Sequence, residues 1–138
     1  MIILDTSVLS AIMQPDQNVE AINWLARNDP VNLRMTVISL HEIQYGIERL
    51  PTGKKRRDLA ASLAALIGSG LGGGMLTVDA PSAQGAATAR AAAMTATGHC
   101  DVPDALIAGI ALANGASVAT RNIKDFQYFG VPLINPWN

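Results

Sequence analysis

Cysteine occurs once in this chain, at Cys100, and that scarcity removes two classes of protein. A single thiol builds no disulfide framework and no Cys-based zinc site. Charge is scarce too: 15% of residues are Asp, Glu, Lys or Arg, against about 25% in an ordinary soluble domain. So few charges leave apolar surface for a partner to cover, either a second copy or a dedicated binding protein. The net charge of −1 gives no global attraction to nucleic acid, so any polyanion-binding surface must be local. No stretch approaches about 18 uninterrupted apolar residues, and no basic segment precedes an apolar one at the N-terminus. The expectation is a cytoplasmic protein with no membrane span.

Hydrophobic residues are plentiful, at 49% of 138. A chain of this length can bury about 68–70% of its unfolded surface, so it needs neither disulfide nor structural metal to hold a core. It reads as one domain over residues 1–138.

The segment MIILD opens with a short apolar strand that runs into Asp5. Thr6 or Ser7 can cap a helix through Met13, stopped by Pro15, and Asn18 can cap the next one as far as Asp29-Pro30. LRMTVI (33–38) is β-biased, and a helical pattern starts at Ser39 with Ile43, Ile47 and Leu50 at steps of four, four and three. A helix is expected over about 54–67, then a flexible glycine loop, then a third strand in MLTVD (75–79). Helices follow from Pro81 to Thr97 and from Asp104 to Ala113, with strands at 117–120 and 131–134. Strands alternating with helices imply a mostly parallel sheet of four or five strands, covered on both faces. In such sheets ligands bind beyond the carboxyl ends of strands where chain order reverses, and Asp5 stands at such an end.

Other acids fall at comparable places. Glu42 is expected in the first turn of the helix after the second strand, and Asp104 opens the helix in DVPDALIAGIA. TRNIKDF follows the fourth strand and brings Asn122 and Asp125. Carboxylates gathered in one crevice repel, and each is harder to ionise unless a cation sits among them. Hard oxygen donors without His or Cys suit Mg²⁺ or Mn²⁺. Each residue also has a plainer role open to it. Asp5 could cap the helix that follows, Glu42 and Asp104 could serve a helix dipole, and Asn122 could belong to an Asx turn.

Taken in order, MIILDTSVLS, VISLHEIQYGI, DVPDALIAGIALANG, VATRNIKDF and VPLINPW resemble the PIN-domain ribonucleases, especially toxins of the VapC and FitB type. The resemblance covers essentially the whole chain. It implies a three-layer α/β/α fold, with Asp5, Glu42 and Asp104 at the family's acidic metal-binding positions and Asn122 at its fourth polar position. That position is an aspartate in some members; the amide here adds no charge, which leaves one or two metals open. The resemblance further implies Mg²⁺- or Mn²⁺-dependent hydrolysis of RNA, a homodimer, and a small antitoxin partner. Thr6, Thr120 and Asp125 are candidates to orient the carboxylates from behind.

Competing signals are weaker. GSGLGGG contains a literal GxGxxG, but it precedes a strand instead of following one, so it is a loop. The run Lys54, Lys55, Arg56, Arg57 could contact RNA phosphates or simply begin a solvated helix; Arg121, beside Asn122, is the better candidate for a phosphate. Asp5-Thr6-Ser7 resembles the start of haloacid-dehalogenase phosphatases, but those need an aspartate where Ser7 stands. A catalytically degenerate PIN-like module, binding RNA or protein without cutting, is the other alternative.

Overall fold

The computed structural model describes residues 1–138. Five strands form one sheet: β1 (Ile2–Leu4), β2 (Leu33–Thr36), β3 (Met75–Leu76), β4 (Ser117–Ala119) and β5 (Leu133–Ile134). Their order is β3-β2-β1-β4-β5, and every neighbouring pair is parallel. Seven helices cover the sheet: α1 (Thr6–Met13), α2 (Val19–Ala26), α3 (Val37–Glu48), α4 (Lys54–Gly68), α5 (Ala80–Thr97), α6 (Val102–Asn114) and α7 (Ile123–Phe126). This is a three-layer α/β/α arrangement.

The two-residue period of a strand divides the core. Ile3 and Val118 face a cluster built by α5, α6 and α7, with Ala89, Ala93, Ile107, Ile110 and Phe126. Leu4 and Ala119, one residue on, face the opposite cluster of Val8, Leu9, Ile43, Ile47, Leu63 and Leu66. The central strands are therefore buried on both sides, as apolar parallel strands must be.

Several element ends differ from the sequence reading, each for an identifiable reason. Val37 and Ile38 are helical, because Thr36 caps α3 by accepting a hydrogen bond from the Ser39 amide at 3.2 Å. Their β-branched preference yields to that cap. The third strand is only Met75–Leu76, since Asp79 caps α5 through the Ser82 amide and draws the chain out of the sheet early. Asp101 caps α6 in the same way, so that helix begins at Val102. The glycine stretch is not a loose loop. Leu71–Gly73 makes a tight turn against β2, and Gly72, at φ +66°, sits where a side chain would strike the Leu33 carbonyl.

Chain order reverses between β1 and β4: the chain runs outward from β1 through β2 to β3, then returns beside β1 as β4. The crevice beyond these two strand ends is where a parallel sheet offers a site.

Candidate active site

Asp5 follows β1 directly and is 1% exposed. It occupies the N-cap position of α1, yet its side chain makes no cap hydrogen bond. Its carboxylate turns instead to hydroxyls: Ser7 Oγ donates to Oδ2 at 3.0 Å, and Thr120 Oγ1, beyond β4, donates to the same oxygen at 2.8 Å. Oδ1 is buried with no partner at all. A buried carboxylate oxygen left unpaired is costly, so it marks a place where something else is expected to bind.

Ser7 and Thr120 also tie the following segment down. The Arg121 amide donates to Ser7 Oγ at 3.1 Å, and the Asn122 amide donates to Thr120 Oγ1 at 2.9 Å. The backbone after β4 is thus fastened to Asp5 through two hydroxyls.

Glu42 lies in the second turn of α3 rather than the first, because the helix starts two residues earlier than its sequence suggests. Thr6 Oγ1 is 2.9 Å from Glu42 Oε1 and 2.9 Å from Ser39 Oγ. One hydroxyl has one proton, so Thr6 donates to the carboxylate and receives from Ser39. Asp104 is the third residue of α6 and is 8% exposed.

The three acids sense one another. Burial, followed by the charges of Asp5, Asp101, Glu42 and Asp125, pushes the Asp104 carboxyl up to about 8. Glu42 is raised by burial and by Asp5 and Asp101, against the pull of the Thr6 hydroxyl and the charge of His41. Asp5 is raised by burial, with the Thr120 hydroxyl, the backbone of Thr6, and the hydroxyl and backbone of Ser7 working the other way. No lysine or arginine relieves this group: the salt bridges of the chain are Lys54–Asp58 and Arg56–Glu48.

The donor chemistry suits a hard divalent cation: clustered carboxylates, a free buried oxygen, and no paired lysine or arginine. The coordination geometry is not pre-set, because no group of three or more His, Cys, Asp or Glu side chains is arranged to hold a metal ion. The fit lies in charge and donor type.

The remaining candidates are placed differently. Asn122 is exposed at the start of α7, and its side chain makes no hydrogen bond. Asp125 is exposed; it reaches the acids through its charge on Asp104, not through a hydrogen bond. The Arg121 guanidinium lies 4.9 Å from the centroid of the Trp137 ring, which holds it in place and leaves its edge free. Lys54 is paired with Asp58 at 2.7 Å, whereas Lys55 is exposed and makes no ion pair. A cleft of about 260 Å³ runs from Thr6 and Glu42 over Ile43, Ile47 and Leu59, and the adjoining hollow holds Lys54 and Lys55.

Sequence reasoning did not assign Ser7 or Ser39 to the site. The only signal for Ser7 is two hydroxyl residues directly after a strand-ending aspartate; for Ser39 it is a position one helical turn before Glu42.

A parallel sheet with buried carboxylates at its switch point places a candidate ligand crevice beyond the ends of β1 and β4. Residues 2–130 match the PIN domain, and the chain belongs to the PIN-domain family. It is 31% identical to Toxin FitB of Neisseria gonorrhoeae over 138 residues, covering 100% of this chain and 99% of the relative. It is 30% identical over 137 residues to VapC ribonuclease Y4jK of Sinorhizobium fredii, covering 99% and 98%. The structure of FitAB bound to an IR36 DNA fragment contains a chain with TM-score 0.88 and 30% identity, covering 100% of this chain and 96% of that one.

Proposed function

We propose that the chain, as a single PIN domain, is a Mg²⁺- or Mn²⁺-dependent ribonuclease and the toxin of a toxin–antitoxin pair. The observation that carries this reading is Asp5 Oδ1: buried, unpartnered, and close enough to Glu42 and Asp104 for its charge to raise both of them. The similarity to a toxin and to a VapC ribonuclease supports the same conclusion.

Asp5, Glu42 and Asp104 would hold the ion, with Asn122 as a neutral oxygen donor at the rim. Bound there, such an ion supplies positive charge for the phosphodiester oxygens and makes a neighbouring water acidic enough to attack near neutral pH. The chain's own part is positional. Thr120 and Ser7 hold Asp5 Oδ2 and leave Oδ1 without a protein partner, while Thr6 fixes Glu42. Arg121, steadied on Trp137, offers its free edge to a phosphate, and Lys55 can contact the strand further out. Cleavage is by water, so no covalent nucleophile is required.

FitAB is an assembly seen on DNA, and by similarity this chain pairs with a small antitoxin and with a second copy of itself. No helix is long and apolar enough to cross a membrane. We place its action in the cytoplasm, where RNA is available.

Asn122 and the open metal geometry favour one other reading, a PIN-fold module that binds RNA or protein without cutting. One experiment separates the two. Purified protein is incubated with a mixed RNA pool in Mg²⁺, Mn²⁺ or EDTA, beside Asp5→Ala prepared identically. Metal-dependent cleavage lost in the variant supports the nuclease. Folded, antitoxin-free protein that cuts nothing supports the binding module.

A further inference from the structure

The outward face of α3, with the residue that caps its C-terminal end, carries three side chains at four-residue steps: His41, Tyr45 and Arg49. All three are exposed, Tyr45 by 57%. The His41 and Tyr45 ring centroids are 6.5 Å apart with planes 17° from parallel. The Arg49 guanidinium carbon lies 5.6 Å from the Tyr45 centroid. Ile43 and Ile47, on the other side of the helix, are buried in the core, so α3 is fixed to the sheet while the ladder stays free.

The ladder has a direction. It begins beside Glu42, whose preceding residue is His41, and climbs away from the crevice by about 6 Å per four residues to a cation at its far end. Every nucleobase presents a π face, and aromatic or guanidinium planes stack unpaired bases with little regard to sequence. A duplex keeps those faces inside its own stack. His41 is near-parallel to Tyr45 and Arg49 lies over its ring, so a base joins this row by stacking at its end or by taking the place of one planar neighbour.

We propose that His41, Tyr45 and Arg49 form a stacking platform for single-stranded RNA, which delivers the strand to the acids at Glu42. The proposal deepens the ribonuclease reading and rests on it for the place of cleavage. Binding is testable without cleavage.

The probe is a short, 5′-fluorescein-labelled single-stranded RNA of randomised sequence, followed by anisotropy in EDTA with wild type, Tyr45→Ala and Tyr45→Phe. Tyr45→Ala should weaken binding about tenfold, and Tyr45→Phe, which keeps the ring, should bind as wild type does. In Mg²⁺ the same loss should appear in KM, with kcat unchanged. Equal affinity for wild type and Tyr45→Ala overturns the platform. So does a Tyr45→Phe as weak as Tyr45→Ala, a wild type that binds no RNA, or a Tyr45→Ala that changes only the oligomeric state. Ring-dependent binding without Asp5-dependent cleavage would leave the platform standing and remove the nuclease. Asp5-dependent cleavage indifferent to Tyr45→Ala would do the reverse.

Discussion

Thr120 and Asp5 are 115 residues apart in sequence and 2.8 Å apart in the fold, hydroxyl to carboxylate. The bond joins the ends of β4 and β1, the two strands that flank the reversal in chain order. Thr120 also receives the Asn122 amide, so one hydroxyl sets both the carboxylate and the backbone beside it. Thr120→Val keeps the branched shape and removes the hydroxyl. Asp5 Oδ2 would retain only Ser7, and the Asn122 amide would lose its acceptor. By analogy with groups that orient metal ligands, cleavage should fall about 10–100-fold, and stability by about 1–3 kcal/mol. RNA cleavage rates and thermal melts measured together test this. A lower Tm with full cleavage would show that the hydroxyl serves the fold and not the site.

Asp104 makes stability depend on pH with a definite sign. Its carboxyl is raised from 3.8 to about 8 in the folded chain, so the folded state holds its proton more tightly than the unfolded state. Between about pH 4 and about pH 8 the unfolded chain releases that proton first, and stability falls as pH rises. Asp5 and Glu42 are shifted in the same direction and add to the slope. Without divalent metal, the Tm should therefore decline across this range, and Asp104→Asn should flatten the decline and melt higher than wild type near pH 8. Mg²⁺ or Mn²⁺ should raise the wild-type Tm most at the alkaline end, because binding needs the ionised form. A metal-free Tm that climbs with pH would contradict the crowding of these acids.

The packing of α5 on α6 sets where Asp104 stands. A Cβ at Gly109 would run into the Ser82 carbonyl and the Ala86 backbone, and one at Gly85 would come within 2.9 Å of the Gly109 carbonyl. Backbone does not step aside as a flexible side chain can. Gly109→Ala should cost about 1–3 kcal/mol or more by forcing the helices apart. Gly46, in the interior of α3, has open space where its Cβ would go. Gly46→Ala should stabilise by about 0.5–1 kcal/mol. Chemical denaturation of both variants gives the comparison, and equal effects would refute the close approach.

How far the sequence could be read depended on the range of the forces involved. The apolar run ending in Asp5 and the strand–helix alternation are local patterns, and they specified the layers and the parallel sheet. Asp79 and Asp101 also act locally, yet each stood beside residues with competing preferences, and the ends of β3 and α6 shifted by a few positions. Val37 and Ile38 are helical against their β preference, because the threonine cap outweighs it. The hydroxyls were the hardest to read. Ser39 meets Thr6 across 33 residues, and Arg121 meets Ser7 across 114, and no spacing along the chain encodes such pairs. Tyr45 was legible as a residue but not as part of a ladder, since the sequence does not say which side of α3 is covered.

Asn122 offers the sharpest test of what the acids are for. Its side chain is exposed and bonds to nothing, so Asn122→Asp changes charge at nearly constant shape and should leave the fold intact. Another carboxylate near Asp125, whose charge already reaches Asp104, adds repulsion when no cation is present, which should lower the metal-free Tm above neutral pH. With Mg²⁺ or Mn²⁺ the same charge becomes a ligand or an attractive neighbour. The concentration giving half-maximal cleavage should then fall several-fold, since an added carboxylate tightens a hard-cation site. Metal titrations of cleavage and of Tm, run on wild type and variant, read both effects. If the variant were destabilised without metal and gained no affinity with it, Asn122 would lie outside the ion's reach, and the site would consist of Asp5, Glu42 and Asp104 alone.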